Sequence, residues 1–337
     1  MVKAIGLISG GLDSMLAARI MLSMNIEVIA LNFSSPFCTC THKNSGCNNV
    51  AKRFANELGL KVIVKFLGDE YLDVIKAPKF GYGKHMNPCV DCRIVTFRQA
   101  KKVMIEEGAS FVFTGEVVGQ RKMSQTLQRL YLIEREAGLQ QQIVRPLSGK
   151  SLAPTIPELD GIIDREKMFE LSGKSRKGQI KIAQEQFGIE DNLCSAGGCL
   201  LTDKGISDRV KDLFTHHSGD NVSTSEARLL KIGRHFRIND EVKLIVGRNE
   251  KENKRLTNLA GSDEYIFNPE SGKGPTGLLK GGISRDSMLT ANAIVARYSA
   301  QDDNYSAVIS YGKKGDKVKF KQNSQRASDD MISTMLI

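Results

Sequence analysis

KAIGLISGGLDSMLAARIML, residues 3–22, contains three structural signals in succession. The apolar run over 3–8 predicts a strand, the spacing of apolar residues over 15–22 predicts a helix, and a glycine-rich turn joins them. The same pattern continues along the chain, where the sequence predicts strands over 27–33 and 61–66 with a second helix over 47–58 between them. Because strands that alternate with helices form a parallel sheet covered on both faces, these signals predict an α/β fold.

The turn between the first strand and the first helix has the composition of an anion-binding loop. In a parallel sheet, ligands bind at the carboxyl ends of the strands, and a glycine turn that opens a helix presents free N–H groups. Here the hydroxyls of Ser9 and Ser14 can donate to phosphate oxygens, Gly10 and Gly11 allow close approach, and Asp13 can hold Mg²⁺. The lysine of a Walker loop is absent. The sequence therefore predicts a phosphate-binding loop of another kind, the alternative being a plain strand-to-helix turn.

This turn resembles the signature SGGxDS of the PP-loop ATP pyrophosphatases, which follows the first strand in that superfamily. The resemblance implies a doubly wound parallel sheet and cleavage of ATP between its α- and β-phosphates, which adenylates a carbonyl oxygen of the substrate. It also implies a site for ATP and Mg²⁺ at a defined set of residues: Ser9, Gly10, Gly11, Asp13, Ser14, Asn32 and Gly115.

The seven cysteines fall into three groups, and the odd count argues against a complete disulfide framework. Cys89 and Cys92 form a Cys-x-x-Cys at the start of a predicted helix, where the helix N-terminus is expected to lower a thiol pKa. Redox, zinc and iron–sulfur interpretations are open for this pair. Cys199 follows two glycines further along the chain. Three cysteines suit an iron–sulfur cluster with one open iron, or a nucleophile with a resolving partner, better than a closed zinc site.

Asn87-Pro88-Cys89-x-x-Cys92, the distant Cys199 and Phe113-Thr114-Gly115-Glu116 are similar to the tRNA-thiolating branch of the PP-loop enzymes, the 2-thiouridine and 4-thiouridine synthetases. Glu116 stands where one subfamily has histidine. The resemblance implies a tRNA sulfurtransferase that adenylates a uridine carbonyl and replaces its oxygen with sulfur. It further implies a [4Fe-4S] cluster held by Cys89, Cys92 and Cys199, which act with Asp13 in catalysis. The implied partners are tRNA and a sulfur donor, either sulfide or a persulfide carrier.

The charge balance favours a polyanionic partner. The chain has 48 Lys and Arg against 38 Asp and Glu, a formal net charge of +10, spread over both halves. The predicted RNA contacts are five basic residues in two short stretches: Arg121, Lys122, Lys174, Arg176 and Lys177. The alternative is that these are ordinary charges of solvated loops.

The composition changes after residue 203, which predicts a PP-loop thiolase domain over 1–203 and an α+β accessory domain over 204–337. The stretch over 247–253 resembles the RNA-binding part of ribosome-quality-control factors. This half contains five residues for which RNA docking is one interpretation and ordinary surface charge is the other: Arg234, His235, Arg237, Arg248 and Lys254.

Two alternative functions stay open on the sequence alone. One is a PP-loop ligase or amidotransferase that adenylates a small carboxylate, and the other is a non-catalytic RNA-binding factor. A second metal site at Cys38, Cys40, His42 and Cys47 is also open, and Cys194 competes with Cys199 as the third ligand. Since the chain has neither an apolar run of 18 residues nor a signal-peptide pattern, we expect a cytoplasmic protein without a membrane partner. A homodimer is among the expected assemblies.

Overall fold

The computed structural model describes residues 1–38, 47–189, 198–217, 219, 222–300, 305–316 and 319–337, without the side chains of 47–50. The described residues separate into two compact units, Met1–Thr202 and Asp203–Ile337.

The first unit is built on a parallel sheet. Its five strands are β1 (Lys3–Leu7), β2 (Glu27–Ser34), β3 (Lys61–Phe66), β4 (Phe111–Thr114) and β5 (Ile143–Val144). They lie in the order β3-β2-β1-β4-β5, and every pairing is parallel. The chain therefore adds β2 and β3 on one side of β1 and then returns to add β4 and β5 on the other side. This confirms the predicted doubly wound α/β fold.

Helices cover both faces of this sheet. They are α1 (Leu12–Ser23), α2 (Cys47–Glu57), α3 (Asp69–Lys76), α4 (Cys89–Glu106), α5 (Leu127–Ala137), α6 (Ile156–Leu159) and α7 (Lys177–Phe187). Leu16 and Met21 of α1 are buried in one core together with Phe113, whereas Phe97 of α4 and Ile133 of α5 belong to a second core. Successive side chains of a strand point to opposite faces, so a strand buried on both faces is apolar throughout. The continuous apolar run in β1 follows from this arrangement.

The second unit is built on an antiparallel sheet. Its strands are β6 (Arg234–Arg237), β7 (Lys243–Val246), β8 (Tyr265–Pro269), β9 (Gly277–Lys280), β10 (Ser306–Lys313) and β11 (Phe320–Gln325). They lie in the order β11-β10-β8-β9-β7-β6. The helices are α8 (Lys204–His216), α9 (Thr224–Leu229), α10 (Glu250–Leu259), α11 (Arg285–Arg297) and α12 (Asp329–Met335). Ile294 and Val295 of α11 pack with Phe236 and Phe267 of the sheet. The predicted α+β accessory domain is confirmed.

Side-chain caps fix several helix starts in this unit. Ser223 and Glu226 form a capping box at the start of α9, and Asn249 accepts a hydrogen bond from the Glu252 N–H at the start of α10. Among the helices of the described residues, none is both long and apolar enough to cross a membrane.

Candidate active site

The loop between β1 and α1 lies at the point where the sheet reverses its direction of growth. β2 and β4 flank β1 on either side, and open α/β sheets bind ligands at the carboxyl ends of strands at such a point. Gly10 has a φ of +80°, which glycine adopts without strain. The Ser14 hydroxyl donates to the Gly11 carbonyl at 2.8 Å, and no side chain caps the start of α1. With no side-chain cap among the described residues, the start of this helix suits an anion.

Asp13 is partly buried in this loop. Burial raises the pKa of Asp13, and the hydrogen bond from Gln120 together with the charges of Arg176 and Arg121 offsets part of the rise. Gln120 Nε2 donates to Asp13 Oδ2 at 3.1 Å, whereas Oδ1 is buried without a partner among the described residues. A buried carboxylate oxygen without a hydrogen bond is costly, and a cation would satisfy it.

Gly115 and Asn32 come from the strands on either side and complete this loop. A Cβ at position 115 would overlap the Asp13 carbonyl and lie 2.5 Å from the Ser14 nitrogen, so only glycine fits. Asn32, 2% exposed, donates from Nδ2 to the Ile8 carbonyl at 2.6 Å, and its Oδ1 is buried without a partner in the described chain. The structure thus brings together the residues predicted to bind the nucleotide.

Four thiols gather at the same edge of the sheet. Cys89 and Cys92 lie in the first turn of α4, and Cys38 follows β2. Cys199 reaches them through an isolated antiparallel bridge to Cys38, in which the Leu200 N–H donates to the Phe37 carbonyl at 2.9 Å. None of the four is in a disulfide. The sequence predicted three of them as a set and considered the fourth, Cys38, for a second metal site with Cys40, His42 and Cys47.

The thiol pKa values differ from the sequence-based expectation. Burial raises the pKa of Cys199 to about 12, to which the neighbouring thiols Cys92, Cys89 and Cys38 also contribute. Burial likewise raises the pKa of Cys92 and of Cys89. The expectation that the start of α4 lowers these pKa values is therefore wrong for the protein without metal, because the loss of hydration outweighs the helix dipole.

Other predicted ligands fall outside the described residues. Cys40, His42 and Cys194 belong to this group, as does the side chain of Cys47. In the described part of the chain, no group of three or more His, Cys, Asp or Glu is arranged around a point where one metal ion would bind.

A buried charge network joins the thiol helix to the loop after β4. Arg93, one residue after Cys92, donates to Glu116 Oε1 at 2.6 Å, and Arg145 Nε donates to Glu116 Oε2 at 3.0 Å. Arg145 also pairs with Glu134. Burial would raise the pKa of Glu116, but the two arginines outweigh it and hold this pKa below its usual value. Glu116 is thus a structural anion that ties α4 to the residue following Gly115.

The five predicted RNA contacts divide into two kinds. Lys122, Lys174 and Lys177 are exposed. Arg121 is exposed as well, but its charge and that of the partly buried Arg176 lower the pKa of Asp13. The sequence did not indicate this difference, because it depends on a long-range contact between the two basic stretches.

In the second unit, most of the candidate RNA contacts are already engaged. His235 is fully buried, with Nε2 2.9 Å from the Ile232 carbonyl, so its interpretation as an RNA contact is wrong. Arg237 makes two hydrogen bonds to Asp212, and Arg248 pairs with Glu252 at 2.6 Å. Arg234 lies over the Tyr298 ring at 4.6 Å. Lys254 is exposed and pairs only with Glu250, one turn away on the same helix, at 2.6 Å within the described chain.

The comparisons with known proteins match the two halves of the chain to two different families. Residues 2–156 match the family described as "Thiamine biosynthesis protein (ThiI)". Residues 233–335 match the family described as "NFACT protein RNA binding domain".

Curated relatives share the first half. A "Probable tRNA sulfurtransferase" of Thermococcus kodakarensis is 30% identical over 148 residues, which cover 44% of this chain and 37% of the relative. A "tRNA-specific 2-thiouridylase MnmA" of Leptospira biflexa is 30% identical over 126 residues, covering 32% of this chain and 33% of the relative. The chain thus spans a third to two fifths of the length of these relatives.

Solved structures give weaker overall similarity. A 4-thiouridine synthetase in complex with RNA and ATP has a TM-score of 0.36 at 24% identity, covering 54% of this chain and 51% of that one. The U34-tRNA thiolase NcsA of Methanococcus maripaludis, solved with its [4Fe-4S] cluster, has a TM-score of 0.31 at 18% identity and covers 68% and 71%. Residues 2–156 are thus similar to the ThiI family and residues 233–335 to the NFACT RNA-binding family, and each match covers less than half of the chain.

Proposed function

We propose that this chain is an ATP-dependent tRNA sulfurtransferase, which adenylates a uridine carbonyl oxygen and replaces that oxygen with sulfur. One observation carries the proposal: the SGGLDS loop and the thiol set lie at the same edge of one sheet, and the bond between Arg93 and Glu116 ties them together. A phosphate-binding loop and a set of cysteines are the two components that thiolation requires. The names of the relatives agree with this assignment.

The loop residues would bind and orient ATP. The N–H groups at the start of α1 and the hydroxyls of Ser9 and Ser14 suit the phosphates, and the unpartnered Oδ1 of Asp13 suits Mg²⁺. Asn32 offers a buried oxygen without a partner, which suits the adenosine end of the nucleotide. A uridine oxygen held at the α-phosphate would then form the new bond as pyrophosphate leaves.

The donor set fits an iron–sulfur cluster. Thiolates are the ligands that such clusters take from proteins, and Cys89, Cys92 and Cys199 are partly exposed thiols that influence one another's charge. A cluster spreads its ligands over several irons, whereas a single zinc ion draws them to one point at about 2.3 Å. When bound there, a [4Fe-4S] cluster supplies an iron that can carry sulfide. Metal binding also requires the thiols to be ionised, so loading releases protons.

The remaining roles follow from this assignment. Sulfide attacks the activated carbon and AMP leaves. Where a persulfide supplies the sulfur, its terminal sulfur attacks and AMP leaves, and a second cysteine thiol then cleaves the S–S bond, which releases the thiouridine and leaves a disulfide. We assign tRNA as the substrate because the net charge is +10 and the second half matches a family named for RNA binding. Lys122, Lys174 and Lys177 are exposed residues suited to contacting the RNA backbone.

The test is anaerobic purification, a visible spectrum, and an assay with ATP, Mg²⁺, sulfide and unmodified tRNA. We expect a brown protein that absorbs broadly near 400 nm and forms thiouridine only when ATP is present. Cys89→Ser, Cys92→Ser and Cys199→Ser should each lose colour and thiouridine together. Cys194→Ser is the matched control and should keep both, whereas loss in this variant would make Cys194 the third ligand.

Asp13→Asn separates the two halves of the reaction. This variant should keep the colour but form AMP about 100-fold more slowly, because the thiol set is intact while the metal-binding carboxylate is gone. Colourless protein that binds ATP yet leaves tRNA unthiolated after cluster reconstitution would overturn the proposal. That result would favour a PP-loop ligase that adenylates a small carboxylate.

A further inference from the structure

We propose that Tyr71 is a positioning residue of the thiol site, because its hydroxyl donates a hydrogen bond to the Cys92 sulfur and so stabilises that sulfur as a cluster ligand. This inference rests on the proposed function, since it presupposes that a [4Fe-4S] cluster binds at Cys89, Cys92 and Cys199. It gives a role in the site to a residue that lies outside the cysteine motifs.

The contact joins two helices that pack against each other. Tyr71 lies in α3 and Cys92 in the first turn of α4, and the Tyr71 hydroxyl oxygen is 3.3 Å from the Cys92 sulfur. A phenol O–H is a donor and a cysteine sulfur is an acceptor, so the direction of the bond is fixed. Among the described residues, this sulfur is the acceptor that the hydroxyl reaches.

Packing explains the ring of Tyr71 but not its hydroxyl. Tyr71 is 3% exposed, and Leu72 and Ile75 of the same helix are also buried. A phenylalanine would fill the same space without a polar group, whereas a buried phenol needs a hydrogen-bond partner. The sulfur that the hydroxyl contacts therefore accounts for the presence of tyrosine at this position.

A second contact holds the cysteine turn against the same segment. Asp91, between the two cysteines of the motif, is buried and accepts hydrogen bonds from the backbone of the loop after α3. The Lys79 N–H donates to Asp91 Oδ1 at 2.9 Å and the Phe80 N–H donates to Oδ2 at 3.1 Å. The start of α4 is thus attached to α3 through Tyr71 and to the following loop through Asp91. This arrangement keeps the donor against the sulfur, as the outer-shell partners of metal ligands do.

The bond from Tyr71 becomes stronger when the sulfur carries charge. A neutral thiol is a weak acceptor, whereas an iron-bound thiolate is anionic, and charge-assisted hydrogen bonds are about twice as strong as neutral ones. Tyr71 therefore stabilises the loaded protein more than the empty one. Hydrogen bonds to the sulfurs also set the reduction potential of an iron–sulfur cluster, because they favour the reduced form with its greater negative charge.

The test compares Tyr71→Phe with Tyr82→Phe, each of which removes one hydroxyl. Tyr82 is the matched control, because its hydroxyl donates to the carbonyls of Ile75 and Lys76 at the end of α3, at 2.6 and 3.1 Å, and not to a thiol of the described chain. The whole chain of each variant is reconstituted anaerobically with iron and sulfide. The rate of iron loss to excess ferrous-iron chelator, the reduction potential and the melting temperature of the empty protein are then measured.

The two variants should differ in the loaded state and resemble each other in the empty state. Tyr71→Phe should lose iron about 10- to 100-fold faster than the wild type, and its reduction potential should become more negative. Without iron it should melt within roughly 4 °C of the wild type, since one ordinary hydrogen bond is lost. Tyr82→Phe should lower the melting temperature by a similar amount but keep the wild-type rate of iron loss and potential.

Tyr71→Phe with the iron loss and potential of the wild type would overturn the assignment while leaving the proposed function intact. Equal changes in both variants would also overturn it, because they would show a general loosening of α3, as would a Tyr71→Phe protein that does not fold. A wild-type protein that takes up no cluster would overturn both this inference and the cluster in the proposed function.

Discussion

Replacing Gly115 with alanine should weaken nucleotide binding by on the order of 100-fold and leave the parallel sheet folded. β4 ends at Thr114, and the next residue passes directly against the backbone of Asp13. The added Cβ would overlap the Asp13 carbonyl and lie 2.5 Å from the Ser14 nitrogen, whereas ordinary contacts begin at 3.4 Å. The two backbone segments must therefore separate by roughly 1 Å.

The size of the effect follows from that displacement. Overpacking of this kind costs about 1–3 kcal/mol, which is less than the stability of a typical domain. For a unit of this size, the melting temperature should fall by roughly 2–12 °C. A displacement of about 1 Å at groups that hold a substrate costs on the order of 100-fold, so binding should suffer far more than folding does.

Calorimetry with ATP and Mg²⁺, combined with thermal melting, separates these effects. Gly205→Ala is the matched control, because the nearest atom to its new methyl group is Asp203 Oδ1 at 3.5 Å, and this variant should bind ATP normally. Gly115→Ala with unchanged ATP affinity would refute the reasoning. A Gly115→Ala protein that fails to fold would refute the estimate that overpacking costs only a few kcal/mol.

Further expected outcomes concern the charge network, the loop carboxylate and a helix cap. Glu116→Gln should lower the free energy of unfolding by about 3–5 kcal/mol in urea titrations, because it removes the anion of Arg93 and leaves the buried Arg145 with Glu134 as its one remaining carboxylate in the described chain; a loss under 1 kcal/mol would contradict this. Since the folded pKa of Glu116 lies below its usual value, its stabilisation is present above about pH 4.5 and is lost as the pH falls through the folded pKa. Wild-type stability should thus drop more steeply on acidification than that of Glu116→Gln, and parallel pH profiles would exclude the effect. Asp13→Asn should reduce AMP formation by about 100-fold at an unchanged melting temperature, and normal AMP release would remove Asp13 from the reaction. Ser223→Ala should lower the free energy of unfolding by about 1 kcal/mol, because it removes the cap of α9. Urea unfolding measures this loss, and an unchanged midpoint would show that the cap does not contribute to stability.

The sequence predicts the elements that depend on local order. The strand, loop and helix around Ser9–Ser14 follow from apolar spacing and glycine, and the start of α4 at Cys89 follows from the preceding proline. Ser223 and Glu226 predict a helix start because a capping box acts over three residues.

Contacts between segments far apart in the chain cannot be predicted from such local patterns. The approach of Cys38 to Cys199 depends on a backbone bridge between segments far apart in the chain, and no periodicity encodes it. The same holds for Arg176, whose charge acts on Asp13 from a segment that Gly173 pairs with Val118. The direction of the thiol pKa shifts was missed for a related reason: a helix terminus is visible in the sequence, but the burial that outweighs it is a property of the folded unit.

The hydrogen bond between Leu200 and Phe37 also determines when the thiol set can form during synthesis of the chain. Cys38, Cys89 and Cys92 leave the ribosome long before Cys199, whose return closes a loop of about 160 residues. Contacts of such high sequence separation form late, because their entropy cost is met only once the intervening elements have folded. The thiol set is therefore complete only when the first unit is nearly finished, and an emerging polypeptide carries only part of it. Maturation of the site thus becomes a closing step of biogenesis, one that a chain stopped after α7 cannot reach.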